Sequence, residues 1–403
     1  MGAAAARIAG LAKNLKSFGH EVTVLTGFPN YPSGKIDKKY KYKLFSCGKE
    51  IDGVNIKRVW VFASPKRKFY TRLINYFSLI FTSTMFELFD KEKHDVVFVT
   101  SPPLFLGIAG YFISKIKKAQ FVFDIRDLWP KFGVDSGNLT KNTIYVKLAE
   151  RLEDFLYKKA KIITVTTNGK FEYLNESKGI SGIKIKILPN GVDKEFLNLE
   201  TDNEIKTKFF NNGAFTVLYA GLIGIAQGVD VIVKAANILK EKRDINFYIV
   251  GEGVEKCPIQ DLAKELNLKN IFFVNNLPKE KIATFLRNSD ATVIPLKKAS
   301  FTESVPSKLL ESLAFKCPVI LSASGESASI VEQSNGGLIT TPGDEEELAV
   351  AIRKLYDDRG LTIQFRTNET KFIENNFMRD KIAKDLEGIL MGLKMHNISS
   401  TIS

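Results

Sequence analysis

The chain has 403 residues, 44% of them hydrophobic and 30 of them Phe, which is long for one ordinary core and apolar enough to bury large sheets in two domains. Its net charge of +13 is concentrated between Lys35 and Arg72, where twelve Lys or Arg meet three acids (Asp37, Glu50, Asp52); that patch suits an anionic surface, phospholipid or nucleic acid, or is a solvated basic face. Three distant cysteines and three isolated histidines offer no disulfide framework and no ligand-spaced set, which points to a reduced compartment and away from a metal site or a Ser–His–Asp hydrolase.

In chain order, "MGAAAARIAGLAKNLKSFG" reads as a loop glycine, Gly2, and then a helix from about Ala3. A doubly wound domain normally opens on a strand, so that strand is expected about 10–20 residues upstream of Met1. Strand patterns follow in "EVTVLTG", "VNIKRVWV", "DVVFVT", "QFVFDI" and "KIITVTT", with helices beginning near Phe69, Leu104 and Asn142. The longest uncharged run, Val96 to Ser114, holds Pro102, Pro103, Gly107 and Gly110 and reads as strand, loop and helix, not as a membrane span. Polar residues from about Asp193 to Asn212 read as a connection. A second alternation, "FTVLYAG", "INFYIVGEG", "NIFFVNN", "DATVIPL", "CPVILS" and "GGLIT", follows it, and the chain from about Asp344 reads as two or three helices. The predicted fold is α/β: two doubly wound, Rossmann-like parallel-sheet domains facing a cleft, over residues 1–192 and 193–375, with 376–403 as a C-terminal helix that returns to the first domain.

Open sheets of this kind bind ligands at the carboxyl ends of their strands. The second domain carries "YAGLIG" and "VGEG" there, so Gly221, Gly251 and Gly253 are candidate points of ligand approach, although the "VGEG" glycines equally suit a tight structural turn. In "TESVPSKLLESLAFKCPVI" a helix begins at Pro306, leaving Glu303 in the loop before it and Glu311 about a turn and a half inside. Free N–H groups of Ser307 and Lys308 at the helix start, with the Lys308 side chain beside them, form an anion site between two carboxylates. That arrangement suits a ligand bearing both phosphate and hydroxyl groups. In the first domain "FDIRDLWP" ends an apolar strand with Asp124, Arg126 and Asp127, where Arg126 suits an anion and Asp127 a hydroxyl, or where the charges form an ion pair that closes the sheet. Residues 66–89, "KRKFYTRLINYFSLIFTSTMFELF", join a basic start to a helix on which Leu73, Phe77, Ile80, Phe81, Met85 and Leu88 share a face while other apolar residues spill around it. This fits an interfacial membrane helix or a core helix.

"GHEVTVLTG", "LPNGVD", "VGEG", "DATVIPL" and above all Glu303-x7-Glu311 followed by "LAFKCPVI" resemble the retaining glycosyltransferases of the GT-B fold, family four. "TGFPNYPSG", "SPPLFLGIAG" and "FDIRDLWP" resemble its bacterial O-antigen and capsule subset, in particular the N-acetyl-L-fucosamine transferases. The resemblance implies that the second domain binds a UDP-sugar. Glu311 would hold the ribose, Glu303 and its loop would meet the sugar and pyrophosphate, and Gly2 would let backbone approach the donor. It implies an undecaprenyl-diphosphate-linked saccharide as acceptor, bound by the first domain, with Arg126, Asp127 and Glu303 at the chemistry. It also implies no metal or other cofactor, no nucleic acid partner, and a cytoplasmic enzyme peripheral to the inner face of the bacterial plasma membrane, attached to anionic lipid through residues 35–89. Family members often carry Arg and Lys in the loop after the first strand of the second domain, where this chain has Leu222 and Gln227, so phosphate charge must fall to Lys308, backbone N–H groups or Arg126. The alternatives are a UDP-sugar epimerase of the same fold, which needs no acceptor, and a non-catalytic saccharide- or nucleic-acid-binding protein, which turns nothing over.

Overall fold

Runs of β-branched and aromatic residues become thirteen strands in the computed structural model, which describes residues 3–30, 33–66, 69–135, 137, 139–210, 213–297, 304–368 and 370–401. They are β1 (Thr23–Gly27), β2 (Phe45–Ile51), β3 (Val54–Val59), β4 (Val96–Ser101), β5 (Gln120–Ile125), β6 (Ile162–Val165) and β7 (Ile185–Ile187). They continue with β8 (Phe215–Ala220), β9 (Ile245–Val250), β10 (Ile271–Val274), β11 (Ala291–Pro295), β12 (Val319–Ser322) and β13 (Gly337–Thr340). The chain divides into two compact units, Met1–Pro189 with Ile382–Ser403, and Asn190–Lys381.

In the first unit β4-β5-β6-β7 form a parallel sheet, and β1-β3-β2 form a second sheet in which β2 runs antiparallel to β3. The central strand β5 is buried over its last five residues, because helices cover both faces of a parallel sheet and an uninterrupted apolar run is what such a strand needs. Phe121, Phe123, Ile125, Leu156, Ile163 and Val165 make its core. From Ile382 onward the helix Arg379–Thr401 belongs to this unit, where Ile382, Ala383 and Leu386 pack with Leu11 and Leu188.

The second unit is one parallel sheet in the order β10-β9-β8-β11-β12-β13. Counted within the unit this is 3-2-1-4-5-6, the doubly wound order whose switch point lies between β8 and β11. β8 pairs with β9 from Phe215↔Ile245 to Ala220↔Val250, so the glycine loops after the two strands begin side by side. Both units therefore adopt the expected α/β, parallel-sheet architecture. Short segments differ from expectation. "FSCGKEI" and "IKI" are strands that alternation did not mark, and the stretch read as a plain connection contains helices at Lys194–Leu197 and Asn203–Phe210.

Candidate functional site

At the switch point of the second unit, Gly221 leaves β8 with φ +149° and Gly251 leaves β9 with φ +155°. Gly251 and, two residues on, Gly253 have no room for a side chain. A Cβ on Gly251 would lie 1.9 Å from the Gly221 carbonyl oxygen, and one on Gly253 would lie 2.0 Å from that of Ile223. The loops pack backbone to backbone, which explains Gly251 and Gly253 structurally, and it is Gly221 that lines the pocket. That pocket includes Gly221, Asn276, Lys279, Lys308, Glu311 and Ser312.

The helix Ser307–Ala314 points its start at the same place, with Pro306 in the capping position and Leu309, Leu310 and Leu313 buried beneath. Lys308 and Glu311, three residues apart, occupy one face of it. The Lys308 ammonium donates to Tyr219 Oη and Gln227 Oε1, both at 3.1 Å, and lies 4.2 Å from the Tyr219 ring centroid. Burial pushes its pKa down to about 7, opposed by the Glu311 carboxylate. Burial pushes the Glu311 carboxyl up, opposed by Lys279 and Arg379. Lys279 Nζ stands 3.7 Å from Glu311 Oε1, and Arg379 pairs with Asp193 and donates to the Gly191 carbonyl. Thus the "NGVD" turn and the Arg379 side chain brace the carboxylate end of the pocket. Sequence reading passed over Tyr219, Lys279 and Arg379. Tyr219 sits in the apolar strand β8 and carries no motif signal of its own, and the two cations come from helices that no motif marked. Glu303, Gly2, Arg67 and Lys68 lie outside the described residues.

In the first unit the three charges of "DIRD" separate by burial. Asp124 has no exposed surface and accepts from Arg7 Nη2 at 3.1 Å, Thr100 Oγ1 at 2.9 Å and Thr164 Oγ1 at 2.8 Å. It is the structural ion pair, not an exposed charge at a strand end. Arg126 and Asp127 are half-buried. Arg126 Nε donates to Thr100 Oγ1 at 3.0 Å and Nη2 to the Pro102 carbonyl at 3.2 Å, which fixes the guanidinium plane. Burial lowers its pKa while Asp127 and Asp124 raise it.

The helix Phe69–Phe89 is turned inside out. Its polar residues face inward: Asn75 Nδ2 donates to the Phe62 carbonyl at 2.6 Å, Ser78 Oγ accepts from the Phe62 N–H at 2.9 Å, and Thr82 Oγ1 donates to the Trp60 carbonyl at 2.8 Å. Tyr70, Ile74, Phe77, Phe81, Met85 and Leu88 recur at helical spacing on the outside, with Phe81 67% exposed. Leu73 and Ile80, expected on that face, are half-buried instead. Among the described residues no helix is long and apolar enough to cross a membrane, and no group of three or more His, Cys, Asp or Glu is placed to hold a metal ion.

Residues 2–191 match the family model of the glycosyl transferase 4-like domain, and residues 200–375 match that of glycosyl transferases group 1. The protein belongs to the group 1 glycosyltransferases and is a transferase. It is 23% identical over 355 residues to the putative colanic acid biosynthesis glycosyl transferase WcaI of Escherichia coli, spanning 84% of this chain and 85% of that one. It is 27% identical over 258 residues, 62% of this chain and 66% of the other, to the N-acetylgalactosamine-N,N'-diacetylbacillosaminyl-diphospho-undecaprenol 4-alpha-N-acetylgalactosaminyltransferase of Campylobacter jejuni. Among solved structures it superposes on Anabaena HepE in complex with UDP and glucose with a TM-score of 0.71, at 15% identity, over 97% of this chain and 96% of that one, which is a likeness of fold.

Proposed function

We propose that the protein transfers N-acetyl-L-fucosamine from its UDP donor, with retention, to a saccharide carried on undecaprenyl diphosphate, in the assembly of a surface polysaccharide. The observation that carries the donor half is the switch-point pocket, with an ammonium and a helix start at one end and a braced carboxylate one turn away. A nucleoside diphosphate has the matching pattern of phosphate charge and ribose hydroxyls. Support for the class of donor and acceptor comes from relatives: HepE is described with UDP, the Campylobacter enzyme is named for a diphospho-undecaprenol acceptor, and WcaI for colanic acid biosynthesis. In this reading the bond from C1 of the sugar to the diphosphate oxygen breaks, and the acceptor oxygen bonds to C1 on the same face. The acceptor proton passes to the leaving phosphate. Lys308 and the free N–H groups of Ser307 and Lys308 stabilise the charge that develops there, without a metal. Arg126 and Asp127 are assigned to the acceptor, Glu303 to the reacting sugar.

A thermal-shift and hydrolysis screen against UDP-, GDP- and dTDP-sugars tests this. A UDP-sugar at about 100 times its Kd should add about 2.7 kcal/mol of stability, and turnover should persist in excess EDTA. Stabilisation by none of them, or only by the GDP- or dTDP-sugars, rejects the donor. Equal stabilisation with interconversion of sugars and no transfer favours the epimerase.

The same proposal places the enzyme on an anionic bilayer through the outer face of helix Phe69–Phe89. An aromatic face of this size is costly in water, and exposed Lys35, Lys38, Lys39, Lys41 and Lys43 in the same unit complement acidic headgroups. Each such lysine contributes about 1 kcal/mol near an anionic leaflet, so K39E/K41E should weaken binding to phosphatidylglycerol vesicles by at least about tenfold. F77S/F81S should weaken it in high salt as well as low. Variants that sediment with vesicles like the parent would remove the membrane from the proposal.

A further inference from the structure

The Lys308 ammonium is held in an unusual seat. Tyr219 Oη donates its own proton to the Leu222 carbonyl at 2.6 Å, so toward Lys308 the phenol can only accept. Gln227 offers its amide oxygen from the other side at 3.1 Å. Both partners are neutral, and burial keeps the Tyr219 phenol from ionising. Among the described residues no carboxylate stands within ion-pair distance of Lys308, while Glu311 on the same helix face is matched by Lys279. Two of three ammonium N–H groups are therefore spent on neutral oxygens, one N–H remains, and among the described residues the only carboxylate influence on the charge is that of Glu311, which makes no ion pair with it.

The seat also fixes where that charge sits. A Cβ on Gly221 would fall 3.3 Å from Lys308 Nζ, so the ammonium lies directly over the backbone that leaves β8. Tyr219, Leu222 and Gln227 belong to β8 and the loop after it, whereas Lys308 comes from the helix after β11. The seat thus ties the two sides of the switch point together through one cation.

From this geometry we infer that Tyr219 and Gln227 are positioning residues for the donor diphosphate: they hold the Lys308 amino group over Gly221 with one N–H left for a phosphate oxygen and no carboxylate paired to it. The inference rests on the donor reading above and deepens it. Neutrality of the partners is the essential point. A carboxylate at either position would orient the ammonium equally well and cancel what it offers.

The test compares UDP with uridine, which lacks the phosphates, by calorimetry on the full chain. K308M should weaken UDP by about 10- to 150-fold, and Y219F and Q227L by about two- to tenfold each, with uridine affinity unchanged in all three. In the K308M background Y219F and Q227L should have no further effect on UDP, because their contribution runs through the ammonium. Q227E, which keeps the oxygen and adds a charge, should weaken UDP more than Q227L does without lowering the melting temperature. If K308M weakens UDP but Y219F, Q227L and Q227E do not, the inference fails and the donor reading stands. Equal weakening of UDP and uridine by Y219F and Q227L also rejects it, as a loss of local structure. A parent protein that binds UDP no better than K308M does would sink both.

Discussion

Replacing Asp127 by Asn is expected to lower transfer by about 10- to 150-fold while UDP affinity stays within about twofold. The substitution keeps size and shape, so what it removes is a charge and a charged hydrogen-bond acceptor for the incoming hydroxyl. Asp127 follows β5 in a half-buried position beside Arg126, whose guanidinium is clamped by Thr100 and Pro102. A carboxylate oxygen beside a fixed guanidinium can accept a hydrogen bond from an acceptor hydroxyl. The competing account is that these charges merely close the sheet. Asp124 provides the comparison, since it is fully buried and bonded to Arg7, Thr100 and Thr164. Asp124→Asn should lower stability sharply, because it leaves Arg7 without its buried counter-charge. If Asp127→Asn loses melting temperature and activity in the same proportion, it belongs with Asp124 and not with the chemistry.

Glu311→Ala should weaken UDP by about 10- to 150-fold, the worth of one charge-assisted hydrogen bond to a hydroxyl, and leave the fold intact. The side chain is one-quarter exposed, and the apolar side of its helix (Leu309, Leu310, Leu313) is untouched by the change. Calorimetry with UDP and with a deoxyribose analogue separates the roles. The variant should lose most of the parent's preference for the ribose form. Lys279 will then lack one of its partners, but it is half exposed and retains Asp193 at 4.0 Å, so little stability should go with it. Parent-like binding of UDP by this variant would remove Glu311 from the site. Glu303→Ala, by contrast, should reduce turnover more than donor affinity.

The fold class was legible because its signal is local and repeated. Apolar runs such as "QFVFDI" and "ATVIP" can only be strands covered on both faces, and the helical patterns between them leave a parallel sheet as the remaining solution. "FSCGKEI" escaped because an exposed strand with glycine and lysine in it has no burial to enforce alternation. Lys308 and Glu311 were legible because a helix begun at Pro306 puts Lys308 at its start and Glu311 about a turn and a half inside.

Their surroundings were not legible, since contact between residues far apart in the chain leaves no periodic trace. Sequence could say that Leu222 and Gln227 stand where cations are common in similar proteins. Only the folded chain brings Lys308 onto Gln227 and Tyr219, 81 and 89 residues away in the chain. The same limit applies to helix Phe69–Phe89. Composition announced too many apolar residues for one buried face, but which side would face solvent was decided by the hydrogen bonds that Asn75, Ser78 and Thr82 make to the backbone at Trp60 and Phe62. By itself the sequence determined where the buried strands and the longer helices lie, and which residues one helix carries side by side. Tertiary structure decided which charges are paired, as for Asp124, and which meet only neutral hydrogen-bond partners, as for Lys308, because desolvation and pairing depend on neighbours that only folding supplies.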